Sequence, residues 1–154
     1  MNPYIFREYD IRGIVETDFT PEVVTALGRA YGTYVKRAGG NRVSISGDVR
    51  ITTPRLKENF SKGLIKTGIT VLDMGIVPTP ANYFSMFHLN VDGAVQITGS
   101  HNPPEFNGFK LSYKQRAFYG DQIRGLQKLM AIKDFETGSG TIEEINIITP
   151  YQAM

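Results

Sequence analysis

The stretch that decides the fold is GAVQITGSHNPPEFNGFKLSY, residues 93–113. It begins and ends with short apolar segments that are typical of strands, residues 93–98 and 109–113. The ten residues between them include a Pro-Pro pair and leave no room for a crossover helix. The second segment is therefore predicted to form a strand that runs antiparallel to one of the others.

Strand-like and helical segments alternate upstream of this stretch. Residues 42–47 (RVSISG) and 69–74 (ITVLDM) are short, rich in β-branched side chains and bounded by turn residues, as buried strands are. Apolar residues recur at three- and four-residue steps in the segments around them, which predicts helices. We expect an α/β fold, namely a three-layer α/β/α sandwich with a mixed, mainly parallel four-stranded sheet whose last strand is antiparallel.

The predicted helices share a device at their starts, a threonine able to cap the helix followed by a proline suited to its first turn. Gly39 and Gly68 lie where the first two helices are expected to end. Residues 120–130 predict a further helix, with Ile123, Leu126, Leu129 and Met130 facing the core. The threonine-proline pairs are Thr20-Pro21, Thr53-Pro54, Thr79-Pro80 and, close to the end of the chain, Thr149-Pro150.

Composition excludes several classes of function. The chain has 154 residues, enough for one domain, and its net charge of +2 is too small to indicate nucleic acid or an anionic membrane as a partner. It has no cysteine and only two histidines, which excludes disulfides and thiolate metal sites and disfavours a histidine zinc site. No signal peptide or membrane span is recognisable, so we expect a soluble cytoplasmic protein.

The segment TGSHNPPEFNGFK, residues 98–110, combines turn-forming and polar residues at the carboxyl end of the third predicted strand. Ligands of open α/β sheets bind at this edge, which makes Ser100 a candidate site residue. The sequence around Ser100 does not match the G-x-S-x-G elbow of serine hydrolases, and the adjacent His101 is badly placed as a base. His88 lies late in an apolar helix and is predicted to be a partly buried structural residue.

Phosphoryl chemistry fits these residues better than acyl transfer does. It depends mainly on positioning and on neutralisation of charge, for which Arg12, Lys110, His101 and the amides of residues 99–102 are available. Neither a Walker A motif nor G-x-G-x-x-G occurs. From the residues alone, a phosphoryl-bearing serine and an ordinary polar loop both remain open.

The segment TGSHNPPEFNGFK closely resembles the active-site serine loop of the α-D-phosphohexomutases, the phosphomannomutase/phosphoglucomutase family. YDIRG (residues 9–13) is similar to the N-terminal motif of that family, and GDVR (47–50) and GIVPTP (75–80) also stand where its members have similar segments. The resemblance implies an enzyme that interconverts hexose 1-phosphate and hexose 6-phosphate through a hexose 1,6-bisphosphate. The segment EYDIRG favours mannose or glucose over glucosamine phosphates as substrates.

The resemblance also implies roles for individual residues. Ser100 matches the serine that carries the phosphoryl group, Arg12 and Lys110 match basic residues near that group, and His101 and Tyr9 match residues that shape the site. Lys110 is the candidate proton acceptor. The two basic residues each have a structural alternative. Arg12 could form a surface ion pair, and Lys110 could be a solvated strand residue. The remaining polar residues of these motifs are interpreted as structural, Asn102 and Asn107 as loop formers and Asp48 with Arg50 as a pair that braces the loop.

Members of this family have four domains, and the resemblance places residues 1–150 in the first, with 151–154 as the start of the connection to the second. It implies Mg²⁺, bound here only through the phosphate of Ser100 because the acidic metal-binding loop belongs to the second domain, and hexose 1,6-bisphosphate as activator. The expected partners are a phosphosugar substrate and the remaining domains, without which the chain would be inactive. The alternative is a non-catalytic α/β module that binds a phosphate or a partner.

Overall fold

The computed structural model describes all 154 residues. It contains a seven-stranded sheet with helices on both faces. After a 3-10 helix (Pro3–Ile5), the elements are β1 (Ile11–Ile14), α1 (Val15–Asp18), α2 (Pro21–Arg37), β2 (Arg42–Gly47), α3 (Thr53–Lys66), β3 (Thr70–Ile76), α4 (Thr79–His88), β4 (Gly93–Ile97), β5 (Phe106–Tyr113), β6 (Arg116–Ala117), α5 (Asp121–Ile132), β7 (Thr141–Glu144) and α6 (Ile148–Gln152).

The strand order is β1-β5-β4-β2-β3-β7, with β6 beside β5. β2 pairs in parallel with β3 and β4, and β3 with β7, whereas β5 is antiparallel to β1, β4 and β6. This confirms the predicted α/β class and the antiparallel strand that follows the loop of Ser100. The sheet has seven strands rather than the four predicted, because β1, β6 and β7 are two to four residues long and carry no alternating apolar pattern.

The two faces of the sheet differ in chemistry. Val43 and Ile45 of β2 belong to the main hydrophobic core, which packs against α2, α3 and α5. Their neighbour Ser46 points to the other face, where the Nδ2 of Asn82 on α4 donates to its Oγ at 2.8 Å. On the same face the Nε2 of Gln96 donates to the carbonyl of Val77 at 2.9 Å. The polar face is therefore hydrogen-bonded internally where α4 covers it.

Some of the predicted helix boundaries are confirmed and others are wrong. The Oγ1 of Thr20 accepts a hydrogen bond from the amide of Val23 at 3.3 Å and caps α2. Gly39 and Gly68 follow the ends of α2 and α3 with φ angles of 95° and 89°, as the left-handed end of a helix requires. The predicted caps at Thr53, Thr79 and Thr149 are wrong, because these residues lie inside their helices and none of the three N-caps makes a side-chain hydrogen bond.

Candidate active site

The serine loop, residues 98–105, connects β4 to β5 at the carboxyl edge of the parallel strands. Ser100 is exposed near its tip and has a φ of 52°. This left-handed conformation costs a residue other than glycine about 1–2 kcal/mol. The surrounding contacts must supply that free energy, and such outliers concentrate at functional sites.

Asp48, just after β2, holds the start of the serine loop. Its carboxylate accepts hydrogen bonds from the amide of Gly99 at 3.0 Å, the amide of Arg50 at 3.1 Å and the hydroxyl of Thr53 at 2.8 Å. Burial alone raises the pKa of Asp48, but these hydrogen bonds, together with one from the Thr98 hydroxyl, outweigh it and lower the pKa below its ordinary value. The predicted capping threonine, Thr53, thus binds Asp48 instead.

Arg50 holds the rest of the loop through main-chain oxygens. Its Nη1 donates to the carbonyls of Pro103 at 2.7 Å and Phe106 at 3.0 Å, and its Nη2 to those of Asn102 at 2.6 Å and Ser100 at 3.2 Å. Its Nε lies 3.6 Å from a carboxylate oxygen of Asp48. We call Asp48 and Arg50 the loop clamp. The interpretation of this pair as a brace for the loop is confirmed.

Gly99 makes the clamp sterically possible. A Cβ at this position would run directly into the Arg50 guanidinium, so no other residue fits without displacing that side chain. Asn107 adds a further tie, because its buried side chain donates to the hydroxyls of Thr52 at 2.9 Å and Thr53 at 3.1 Å. The loop is therefore fixed to β2 and to the start of α3 at several points.

The amides of the turn are mostly unavailable to a ligand. Gly99 donates to Asp48, Ser100 donates to the Oγ1 of Thr98 at 3.0 Å, and Asn102 donates to the carbonyl of Gly99 at 3.0 Å. Only the amide of His101 has no acceptor in the protein. The expectation that the amides of residues 99–102 are available as donors to a phosphoryl group is therefore wrong for three of the four.

Beside the loop, β1 and β5 leave part of the sheet uncovered. Arg12 stands opposite Gly108 on the neighbouring strand, and Lys110 stands opposite Gln96. Both occupy the sheet face on which α4 packs mainly against β2 and β4. They border an open cleft of about 490 Å³, lined by Arg7, Glu8, Tyr9, Asp10, Arg12, Tyr83, Lys110, Leu111 and Ala117.

Three of the predicted site residues, Tyr9, Arg12 and Lys110, thus converge on one cleft. Ser100 and His101 lie outside its lining. The loop nonetheless adjoins the cleft, since the amide of Thr98 donates to the carbonyl of Gly108 at 3.0 Å. The sheet edge therefore brings the exposed serine and the two basic side chains to the same side of the molecule.

The charges in the cleft are only partly neutralised. An Nη of Arg12 lies 2.6 Å from the Asp10 carboxylate, with the two side chains 29% and 12% exposed. This is the ion pair expected under the structural alternative for Arg12, but its other guanidinium nitrogens have no protein partner. Lys110 makes no ion pair. Tyr9 is 73% exposed and stacks on Tyr119, with ring centroids 6.0 Å apart.

Sequence reasoning missed six of the nine residues that line the cleft, among them Arg7 and Tyr83. Arg7 lies in the segment FREYDIRG, close to Tyr9 and Arg12, so its charge could have marked it as a candidate site residue. Tyr83 belongs to the apolar helix α4, where an aromatic side chain is normally assigned to the core. The prediction for His88 is wrong, because it is exposed and stacks on Phe84 with ring centroids 5.2 Å apart.

The chain's own side chains do not form a metal centre. No group of three or more His, Cys, Asp or Glu residues is placed to hold an ion. Both oxygens of Asp48, which holds the start of the loop, already accept hydrogen bonds from the protein. Glu105, in the loop itself, is exposed. Ser100 carries the exposed hydroxyl of the loop, which a phosphate could turn into an oxygen ligand. None of the helices combines the length and apolar character that a bilayer crossing requires.

Comparison with known proteins gives a consistent result. The sequence profile of the family described as phosphoglucomutase/phosphomannomutase, alpha/beta/alpha domain I, matches residues 3–136. A phosphomannomutase/phosphoglucomutase of Pseudomonas aeruginosa is 37% identical over 147 residues, covering 96% of this chain and 32% of its own length. A phosphomannomutase of Escherichia coli K12 is 39% identical over 152 residues, covering 95% and 33%.

Solved structures agree with the sequence matches. A phosphoglucomutase/phosphomannomutase family protein from Burkholderia thailandensis superposes with a TM-score of 0.93 at 39% identity, covering 98% of this chain and 35% of the other. A putative phosphomannomutase from Thermus thermophilus gives a TM-score of 0.83 at 27% identity, covering 95% and 34%. The chain spans about a third of the length of these relatives. It belongs to the phosphoglucomutase/phosphomannomutase family and contains the α/β/α domain I of that family.

Proposed function

We propose that this chain is the catalytic-serine domain of a phosphohexomutase that interconverts the 1-phosphate and 6-phosphate of mannose or glucose. The observation that carries the proposal is an exposed serine, held at a φ of 52° by the loop clamp, at the sheet edge that also presents Arg12 and Lys110. A serine so placed is accessible to a sugar phosphate, and the clamp keeps the loop from relaxing when the charge of a phosphoryl group is added.

In the proposed cycle, phosphorylated Ser100 gives its phosphoryl group to the free hydroxyl of a hexose monophosphate. The P–O bond to the Oγ of Ser100 breaks and the bond to the sugar oxygen forms. Lys110 accepts the proton of the sugar hydroxyl as it gives a proton to the departing Oγ of Ser100, which becomes a hydroxyl. The resulting hexose 1,6-bisphosphate reorients and returns its other phosphoryl group to Ser100. The proton of the Ser100 hydroxyl then passes through Lys110 to the released sugar oxygen, so that atoms and charges balance in each half of the cycle.

The other side chains of the edge have supporting roles in this proposal. Arg12 stabilises the charge of the transferred group through the guanidinium donors that Asp10 leaves free. His101 lies next to Ser100 on the exposed turn, where it contacts the phosphate, and Tyr9 borders the cleft where the sugar binds. Hexose 1,6-bisphosphate is the activator, since it restores phosphate to a serine that has lost it.

The proposed metal is Mg²⁺, held in part by the phosphate of Ser100. Mg²⁺ is usually bound by one or two carboxylates together with phosphate oxygens, and no group of three or more His, Cys, Asp or Glu side chains in this chain is placed to hold an ion. The ion would neutralise charge on the transferred phosphoryl group. Its protein ligands are therefore assigned to the remaining domains of a longer protein, as are most contacts to the sugar. The 154-residue chain alone is expected to be inactive.

Mass spectrometry of the longer protein that contains this domain tests the proposal. We expect phosphate on Ser100 that glucose 6-phosphate or mannose 6-phosphate removes and that glucose 1,6-bisphosphate restores. The variant Ser100→Ala should lose both the phosphate and the mutase turnover. An unphosphorylated serine after bisphosphate treatment, together with no turnover, would leave the non-catalytic binding module as the better description. Near-wild-type turnover of Ser100→Ala would remove the phosphoserine from the mechanism.

A further inference from the structure

A second concave surface lies on the outer side of the helical layer, between α2, α3 and the end of α5. This basic groove encloses about 510 Å³, within the range of about 300–1,000 Å³ in which small ligands bind. It shares no residue with the serine loop or with the cleft of Arg12 and Lys110. Its lining residues are Pro21, Glu22, Thr25, Ala26, Arg29, Asn59, Lys62, Lys66, Met130, Lys133 and Phe135.

The groove concentrates positive charge. It contains four cationic side chains and one carboxylate, that of Glu22, which gives a net charge of +3 against +2 for the whole chain. Acidic residues near its rim are engaged elsewhere, since Asp134 and Glu136 pair with Arg37 at 2.8 and 3.0 Å. Lys62 has one acidic neighbour, Glu58, at 3.6 Å, and the other three cations form no ion pair. Three of the four cations in the groove are therefore free to bind an anion from outside the protein.

Arg29 is the distinctive residue of this groove. Its guanidinium carbon lies 4.7 Å from the centre of the Phe135 ring, which supports one face of the group by a cation–π contact. Its Nε is buried without a hydrogen-bond partner, and the side chain makes no ion pair. A buried donor without an acceptor costs about 1–3 kcal/mol, and an unplaced ligand or ion is one of the accepted explanations of such a group.

The floor of the groove is rigid. α2 and α3 approach so closely at Gly28 and Gly63 that a Cβ on either would meet backbone of the other helix, the carbonyls of Phe60 and Thr25 respectively. Arg29 follows directly after Gly28, so the close contact fixes its backbone beside α3. At the third wall, Lys133 ends α5 with a φ of 54°, a strained conformation for a lysine. The backbone that carries Arg29 and Lys133 is thus fixed before any ligand binds.

We infer that the basic groove is a second ligand site, which binds a phosphorylated small molecule. A guanidinium backed by an aromatic ring presents its outer edge as a two-donor fork, the geometry that a phosphate group matches best. Lys66 and Lys133 add point charges around it, and the size of the groove admits more than a free ion. This site goes beyond the proposed mutase chemistry, because no side chain of the serine edge takes part in it.

Isothermal titration of the longer protein with inorganic pyrophosphate at low ionic strength tests the inference. The variant carries Arg29→Gln with Lys66→Gln, and the matched control carries Lys114→Gln with Arg116→Gln, two exposed cations outside the groove. We expect affinity for pyrophosphate at the groove to fall at least about tenfold in the variant. The control should bind like the wild type, and mutase turnover without added pyrophosphate should be unchanged in both.

Three outcomes would overturn the inference. Equal affinity of wild type and variant would show that the groove does not bind phosphate, and an equal loss in the control would show only a general effect of charge. Tighter binding of a hexaglutamate peptide than of pyrophosphate, lost in the same variant, would replace the small molecule by an acidic protein partner. If Arg29→Gln lowers the melting temperature, Lys66→Gln with Lys133→Gln repeats the test without altering the helix contact.

Discussion

The serine loop and the neighbouring cleft lie at one sheet edge, yet they use their arginines in opposite ways. Arg50 is 18% exposed and directs its donors inward to four carbonyls of the loop. Arg12 has a single carboxylate contact and keeps its remaining donors at the cleft. An arginine whose donors are all occupied fixes geometry, whereas one with free donors is able to bind a substrate. Contacts within the protein fix the loop, whereas the cleft keeps donors that a ligand could use.

The strongest test of this contrast is Arg50→Ala in the longer protein. Loss of four charge-assisted hydrogen bonds should lower the free energy of unfolding by about 2 kcal/mol. Because the loop then relaxes around Ser100, kcat should fall about 100-fold while KM changes little. Steady-state kinetics and urea unfolding measure the two effects, and Arg50→Lys should not restore them, since an ammonium cannot reach four carbonyls in a plane.

Arg55→Ala is the matched control for that variant. Arg55 lies a few residues away on α3, and its ion pair with Glu16 is 47% and 77% exposed. Both stability and kcat should remain close to the wild type, within about 1 kcal/mol for unfolding. Unchanged kcat in Arg50→Ala, or a similar loss in Arg55→Ala, would show that the clamp does not position the serine.

The second test removes the acidic half of the clamp. Asp48→Asn should lower the free energy of unfolding at pH 7 by about 1–2 kcal/mol, because the amide is a weaker acceptor than the carboxylate for the Gly99 and Arg50 amides. The folded pKa of Asp48 lies below the ordinary 3.8, so the unfolded chain takes up its proton first as the pH falls. The contribution of the Asp48 carboxylate to the free energy of unfolding is complete above about pH 4 and is lost below it.

Urea unfolding of the wild type and of Asp48→Asn between about pH 2.5 and 7 checks whether the stabilisation by Asp48 is lost in acid. This range spans the ordinary pKa of a carboxyl group. The difference between the two proteins should be constant above about pH 4 and should shrink at lower pH. A difference that grows in acid would contradict the assignment of Asp48 as an ionised acceptor. Asp121→Asn, on an exposed carboxylate paired with Arg124, serves as the control with a small effect.

The fold was predictable from the sequence where local pattern and tertiary structure agree. The three buried parallel strands are short and rich in β-branched side chains, and a short Pro-Pro connection forced the fourth predicted strand to be antiparallel. Gly39 and Gly68 mark helix ends because the left-handed conformation there favours glycine. β1 and β7 were missed because each is stabilised by pairing with a distant strand rather than by its own composition.

The site was predictable in its residue types but not in its contacts. Motifs indicated Ser100, Arg12 and Lys110 as candidates, which remain predictions, and the pairing of Asp48 with Arg50 was predicted as a brace. The acceptors of Arg50 are main-chain oxygens, which no side-chain pattern records. Thr53 was predicted to cap a helix from the local sequence, whereas its hydroxyl donates a hydrogen bond to Asp48 in the folded chain. Local rules fail here because the loop and β2 meet only in the folded chain.

The third test addresses Arg12, the arginine whose remaining donors are free. Arg12→Ala should lower kcat/KM about tenfold if its charge acts on the phosphoryl group as proposed, because solvent partly screens its water-exposed donors. Unlike Arg50→Ala, it should change the free energy of unfolding by less than about 1 kcal/mol. Arg12→Lys should recover part of kcat/KM. A loss of stability as large as that of Arg50→Ala would mean that Arg12 is a structural ion pair and that the contrast between loop and cleft is false.

The smallest expected effect separates a cleft residue that contacts sugar from one that only covers the edge. Tyr9 is 73% exposed and stacks on Tyr119, so Tyr9→Leu should change stability by less than about 0.5 kcal/mol. If its ring contacts the bound hexose equally before and during transfer, KM should rise about threefold while kcat stays constant. Tyr4→Leu, similarly exposed but outside the cleft, should leave both constants unchanged. A fall in kcat alone would instead place Tyr9 with Arg50 among the residues that position the phosphoryl group.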